Sequence, residues 1–205
     1  MIIRQIELTN FRALKLVDIQ CDSLLAILGR NGAGKSSVLY ALDTFYNVAA
    51  QVTEFDYFDK DTAAEITIRV TYGDLRDDET IEFSPYLNDN LLIVSKVINS
   101  GGSKYYAASR QLPEFVEMRK LAANPKRQAF NQLVDSGKFP DLNQRVPSAP
   151  AAEEAMTLFE SAHPDLLQLF QKETQFFGPR NIGGGKLDKY TKFVLIPAVR
   201  DASSE

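Results

Sequence analysis

Apolar residues in the first 30 positions recur with a period of two or in short unbroken runs. Ile2, Ile3, Ile6 and Leu8 are the apolar members of one predicted strand. Leu24-Leu25-Ala26-Ile27-Leu28 is continuous and bounded by Asp22-Ser23 and Gly29, a pattern that predicts a strand buried on both faces. From Gly34 to Ala50 the period lengthens: Val38, Leu39, Leu42, Phe45 and Tyr46 recur at helical spacing. The first unit is therefore strand, glycine loop, helix. At Glu65 the period returns to two, with Ile66, Ile68, Val70 and Tyr72 alternating against Thr67, Arg69 and Thr71. Further strands are predicted at Thr80–Phe83, Leu91–Ile98 and Lys104–Ala107, the last two joined by a hairpin turn at Asn99-Ser100-Gly101-Gly102. Residues 113–175 read as helical, in four segments around Phe115, Phe130, Met156 and Leu166–Phe170, broken by Pro140 and Pro147-Ser148-Ala149-Pro150. Gly183-Gly184-Gly185 predicts a turn, and Phe193–Ile196 a final strand.

The 205 residues are 44% hydrophobic and 24% charged, as in ordinary soluble domains, which excludes a disordered or collagen-like chain. Cys21 is the only cysteine, so no internal disulfide is possible and a buried free thiol is expected. No run approaches about 20 apolar residues, and Met1-Ile2-Ile3-Arg4 lacks a signal-peptide layout, so the chain is expected to be soluble, cytoplasmic and free of membrane partners. The net charge of -4 argues against a protein coated in nucleic acid, without excluding a local basic patch.

Gly29-Arg30-Asn31-Gly32-Ala33-Gly34-Lys35-Ser36 matches the phosphate-binding pattern G-x-x-x-x-G-K-[ST]. The glycines let successive backbone N–H groups turn inward toward phosphate oxygens. Lys35 reaches the β- and γ-phosphates, and the Ser36 hydroxyl is a hard ligand suited to Mg²⁺. The helix that follows offers its unpaired amides to the same anion. A chance match in a chain this long is on the order of 1 in 100 from average residue usage. The strand before and the helix after are the context the motif requires.

Other candidates are weaker. Arg12, in Asn10-Phe11-Arg12, reads equally as a phosphate contact or a plain surface arginine. Asp56, Asp59 and Asp61 could approach Mg²⁺, but an acidic capping loop accounts for them better. Asn99-Ser100-Gly101-Gly102-Ser103 looks superficially like the ABC signature, yet lies between strands and is read as a hairpin. His163, the only histidine, precedes Pro164 and has neither a catalytic nor a zinc partner in sequence. Lys126-Arg127, Arg110, Arg119 and Lys120 are basic groups that a solvated helix face explains as well as DNA does. Hydrolysis by this class needs a second carboxylate after a hydrophobic strand. Phe193–Ile196 is instead followed by Pro197-Ala198-Val199-Arg200-Asp201, so no Walker B motif is read, and the chain carries half an active site.

Asn10-Phe11-Arg12-Ala13-Leu14 ahead of the P-loop resembles the RecF/SMC-type ABC ATPases. The chain is more similar to the OLD (overcoming lysogenisation defect) family. That similarity rests on Glu54-Phe55-Asp56-Tyr57-Phe58, Thr71-Tyr72-Gly73-Asp74-Leu75 and Ile196-Pro197-Ala198-Val199-Arg200-Asp201. The resemblance implies an α/β P-loop NTPase: an ABC/SMC-like head lobe with a mixed or antiparallel sheet around the P-loop helix, and a helical insertion. Expected parts are an ATPase core at 1–110, a helical segment at 111–180, and a returning strand at 181–205 that begins a further C-terminal part. It implies ATP and Mg²⁺ as cofactors, with Arg12, Asn31, Gly32, Ala33, Gly34, Lys35, Ser36 and Ser37 on the nucleotide. Lys35 would be catalytic and Ser36 the Mg²⁺ ligand. Where such heads carry a Mg²⁺-contacting glutamine this chain has Ala198 to Asp201, so that role is either absent or taken by Asp201. A C-terminal ATPase lobe and a second head, in a homodimer or higher oligomer, would complete the site. Until then, ATP binding should be weak. OLD proteins add a TOPRIM nuclease and act in phage defence, so DNA and a nuclease or effector are implied partners. Two other functions stay open: a RecF/SMC-like DNA-repair lobe, and a nucleotide-dependent scaffold with little turnover.

Overall fold

A computed structural model describes residues 1–174, 176, 177 and 186–196. The chain divides into two units, one formed by residues 1–108 with the described residues from 171 onward, the other by residues 109–170.

The first unit is built from a sheet and two helices. Its strands are β1 (Ile2–Phe11), β2 (Leu14–Gln20), β3 (Ile66–Gly73), β4 (Leu87–Asn88), β5 (Leu91–Asn99), β6 (Gly102–Gln111) and β7 (Gln168–Glu173). They are ordered β2-β1-β3-β5-β6-β7, with β4 beside β5. The pairings of β1 with β2 and β3, and of β5 with β3, β4 and β6, are antiparallel. Period-two alternation determines which face is buried. Ile6 and Leu8 on β1, Ile66, Ile68, Val70 and Tyr72 on β3, and Leu92, Val94 and Ile98 on β5 are all buried. They pack with Val38, Ala41, Leu42 and Phe45, one stripe of α1 (Lys35–Tyr46), in a single core. Each such side chain contributes about 1.5–3 kcal/mol by leaving water. The opposite face is polar: Arg69 bonds Ser95 Oγ at 3.2 Å and both Glu7 carboxylate oxygens at 3.4 Å.

The second unit is helical, as the middle of the sequence predicts. It comprises α3 (Pro113–Lys120), α4 (Ala123–Asp135) and α5 (Ala149–Ala162), packed around Phe115, Phe130, Leu142, Met156 and Phe159. The Ser148 hydroxyl caps α5 by accepting from Ala151 N at 3.3 Å. Asn131 clips the incoming chain, donating to Val146 O and accepting from Val146 N at 3.1 and 2.8 Å.

Four expected elements differ. Thr80–Phe83 is helical, within α2 (Asp77–Phe83). Glu79 accepts the Arg76 amide at 2.8 Å and the Met1 ammonium at 2.7 Å, and this capping carboxylate outweighs the local β pattern. Leu166–Phe170 is not α-helical: Pro164 opens a 3₁₀ turn that ends at Leu166, and the chain then runs into β7. Phe193–Ile196 forms no strand; Phe193 stacks on Tyr46 at 5.4 Å, while Val194 and Ile196 are exposed. Leu24–Leu28 forms no strand either, and Leu24 and Leu28 are 86% and 91% exposed. An apolar run buries itself only where another element covers it, and among the described residues none covers Leu24 or Leu28. Cys21 is half-buried rather than buried, and burial raises its thiol pKa.

Candidate nucleotide site

The P-loop runs from Gly29 into α1. Gly32 and Gly34 have φ of +81° and +87°, the left-handed region that glycine adopts without strain. Space matters as well at Gly34, where an added Cβ would lie 2.6 Å from Leu14 Cδ2 and 3.8 Å from Ala13 Cβ. The turn between β1 and β2 therefore sits directly on the start of α1. The Lys35 ammonium donates to Gly29 O and Arg30 O, each at 2.7 Å, so the loop curls around its own lysine.

The start of α1 has neither a side-chain cap nor an acidic residue in its first turn. The amides of Lys35, Ser36 and Ser37 have no partner within the helix, which leaves them open to an anion. Asn31, Gly32, Ala33 and Ser36 are exposed, Gly34 and Lys35 half-buried, and Ser37 is buried at the loop's base. These residues fit a nucleotide polyphosphate: open amides, one cation and two flexible glycines converge on a short loop. Mg²⁺ also fits, since it keeps several waters and needs few protein oxygens. The exposed Ser36 hydroxyl is suited to it. Among the described residues there is no group of three or more Asp, Glu, His or Cys able to hold a metal without the nucleotide. Ala198 and Asp201 lie outside the described residues, as does the Gly183–Gly185 turn.

Arg12 is placed beside the site by the same turn. Its Nε donates to Asp56 Oδ1 at 2.9 Å, and its guanidinium lies 4.2 Å from the Tyr40 ring centre. Asp56 is therefore a partner of arginine and a cap for Thr53, whose amide it accepts at 2.9 Å. These hydrogen bonds outweigh partial burial and hold its pKa below the usual carboxylate value. Asp61 accepts from the Ala63 amide, and Asp59 has the positive φ of a turn.

Sequence reasoning missed the anchoring of the other end of α1. Lys96 occupies an inward position of β5, in register with Val94 and Ile98, and is fully buried. Its ammonium donates to Thr44 O and Asn47 O, both at 2.8 Å, closing the last turn of α1. Burial without a carboxylate pushes its pKa down to about 8. Tyr105 donates to Phe45 O at 2.5 Å, and the hydroxyls of Tyr46 and Tyr72 are 2.8 Å apart. One signal was available: a lysine at an apolar position of an alternating strand requires a buried acceptor.

The remaining candidates lie elsewhere. The Asn99–Gly102 hairpin forms as expected, with Gly102 at φ +114°. His163 ends α5, stacked on Phe159 and 3.0 Å from Asp141. Arg119 bonds Glu153 and Glu160, Lys120 bonds Glu117, and Lys126 bonds Glu153. Carboxylates thus neutralise much of the basic group read along these helices.

A family model for the AAA ATPase domain matches residues 1–205. The chain belongs to that family. No curated protein matches. Among solved structures, one from work on the structural biochemistry of ATP-driven dimerization and DNA-stimulated activation of SMC ATPases matches with a TM-score of 0.40 and 17% identity. It covers 81% of this chain and 97% of its own. A second, an SMC head bound to the C-winged helix domain of ScpA, matches with a TM-score of 0.39 and 13% identity, over 84% of this chain and 68% of its own. Among the described residues no helix is long and apolar enough to cross a membrane.

Proposed function

We propose that this chain binds Mg²⁺·ATP on its P-loop and forms the N-terminal lobe of an ABC-type ATPase head of the OLD kind. The observation that carries the reading is the open start of α1, where uncapped amides, Gly32, Gly34 and the Lys35 ammonium converge within one loop. In this reading Lys35 exchanges its two carbonyl partners for phosphate oxygens. The amides from Asn31 to Ser37 cradle the phosphates, that of Ala33 by leaving Arg30 O, to which it donates at 3.2 Å; Arg12 adds a second cation, and Ser36 would hold Mg²⁺. When bound there, the metal would supply charge neutralisation to a phosphoryl group under transfer. A further lobe would cover Leu24 and Leu28, whose exposure suits a strand awaiting a partner, and would bring the carboxylate that activates water. A second head would close over the nucleotide, coupling ATP turnover to DNA processing with a nuclease or effector in phage defence.

Calorimetric titration of the chain with Mg²⁺·ATP tests the core of this reading. The wild type should bind weakly, in the high micromolar to millimolar range, and Lys35→Ala should abolish the heat. Equal binding by Lys35→Ala and wild type would overturn it.

A further inference from the structure

The end of β1 carries an arginine held on several sides. Arg12 has φ +50°, a conformation that costs a non-glycine residue on the order of 1 kcal/mol unless its surroundings fix it. Its backbone amide donates to Asp56 O at 2.8 Å and its Nε to Asp56 Oδ1 at 2.9 Å. One face of the guanidinium rests on Tyr40. Asp56 is fixed in turn: its other oxygen accepts the Thr53 amide and hydroxyl at 2.9 and 3.1 Å, and Phe11 pairs with the adjacent Tyr57. The two Nη groups, with four N–H donors, have no hydrogen-bond partner among the described residues. A planar fork clamped at its stem and on one face, with its tines unused, is the geometry that bidentate recognition of an oxyanion requires. The turn that carries it abuts Gly34 at the base of the P-loop.

We propose that Asp56 and Tyr40 are positioning residues that hold Arg12 as a preformed phosphate fork for the nucleotide on the P-loop. This rests on the ATP-binding reading above and adds two residues to it. Fixing the fork before the ligand arrives removes the ordering cost that a free arginine would pay on binding. The inference makes a prediction of sign. Asp56 carries a negative charge beside a site for a polyanion. If it were only a neighbour, neutralising it would tighten ATP binding; if it positions Arg12, neutralising it weakens binding.

Calorimetric titration of the chain with Mg²⁺·ATP and with Mg²⁺·tripolyphosphate separates these cases. Asp56→Asn should weaken both ligands, roughly 3- to 10-fold, the scale of one impaired charge-assisted contact. Tyr40→Phe, which keeps the aromatic face, should bind like wild type, and Tyr40→Leu should lose a similar factor. Asp56→Asn binding as tightly as wild type or tighter overturns the proposal, as does equal binding by the two Tyr40 variants. A loss confined to ATP and spared with tripolyphosphate overturns the assignment to phosphate. Binding that is indifferent to Lys35→Ala removes the nucleotide site itself, and that failure is distinct from one in which Lys35 matters but Asp56 and Tyr40 do not.

Discussion

Replacing Lys96 with methionine keeps the length of a fully buried side chain and removes its charge. Two charge-assisted hydrogen bonds, to Thr44 O and Asn47 O, are lost. Bonds of that type contribute about 1.5–3 kcal/mol each, so the gross loss is roughly 3–6 kcal/mol. An opposing effect comes from the ammonium itself. Its pKa falls from 10.5 to about 8 through desolvation, so charging it in the fold costs about 3 kcal/mol, and methionine does not carry that cost. The net expectation at pH 7 is a destabilisation of about 0–3 kcal/mol. The pH dependence follows from the same shift. Between about pH 8 and 10.5 the unfolded chain holds the Lys96 proton more tightly than the folded one, so this group makes the wild type more stable as pH rises through that window. Lys96→Met lacks that slope. Urea unfolding of both proteins at pH 7 and pH 9.5 should show the gap between them widening at the higher pH. A variant clearly more stable than wild type at pH 7, or a gap that does not change with pH, would refute the reasoning.

Gly34→Ala should cost about 2–4 kcal/mol, combining a left-handed residue with a Cβ placed 2.6 Å from Leu14 Cδ2. Gly32→Ala has the same sign of φ but no atom within 4 Å of the added Cβ, so it should cost about 1 kcal/mol; denaturant midpoints compare the two directly. The hydrogen bonds that the His163 ring donates to Phe159 O and to the Asp141 carboxylate raise its pKa above 6.5. The stability this pair contributes is therefore complete below pH 6.5 and is lost as pH rises through the raised value. Histidine NMR titration should show the elevated pKa, and Asp141→Asn should lower it; an unchanged titration in the variant would contradict the assignment.

The legible parts of the sequence were those in which one face, one period and one local motif agreed. β1, β3, β5 and α1 announce themselves through residues such as Ile66, Ile68, Val70 and Phe45, because each alternation matches the face it buries. The P-loop was legible because its glycines and lysine are needed at fixed offsets. What stayed hidden depended on distant partners. Thr80–Phe83 has strand composition, but Glu79 reaches back three positions to the Arg76 amide and across to Met1, and the second of these no local window contains. Leu24–Leu28 reads as doubly buried from composition alone, and composition cannot say which element would cover it. Arg12 was an even choice in sequence because Asp56 and Tyr40, 44 and 28 positions away, hold it by contacts that no spacing rule encodes. Lys96 was missed for the same reason: its acceptors are main-chain carbonyls, which every residue has.

The seating of Lys96 has an electrostatic consequence for the far end of α1. A helix with both ends exposed acts as a pair of opposite partial charges, about half an elementary charge each, whose fields largely cancel at a distance. Here the carbonyl end is covered by a buried full cation, while the amide end at Lys35 stays bare. The 12-residue helix is roughly 18 Å long, so at low ionic strength, where the Debye length is about 30 Å, an uncovered carbonyl end would be felt at the P-loop. Seen from the P-loop, α1 is no longer a dipole but a one-ended positive source. At low ionic strength its potential would fall off with distance more slowly than a dipole's, and it would draw in the polyphosphate of the proposed nucleotide before any hydrogen bond forms.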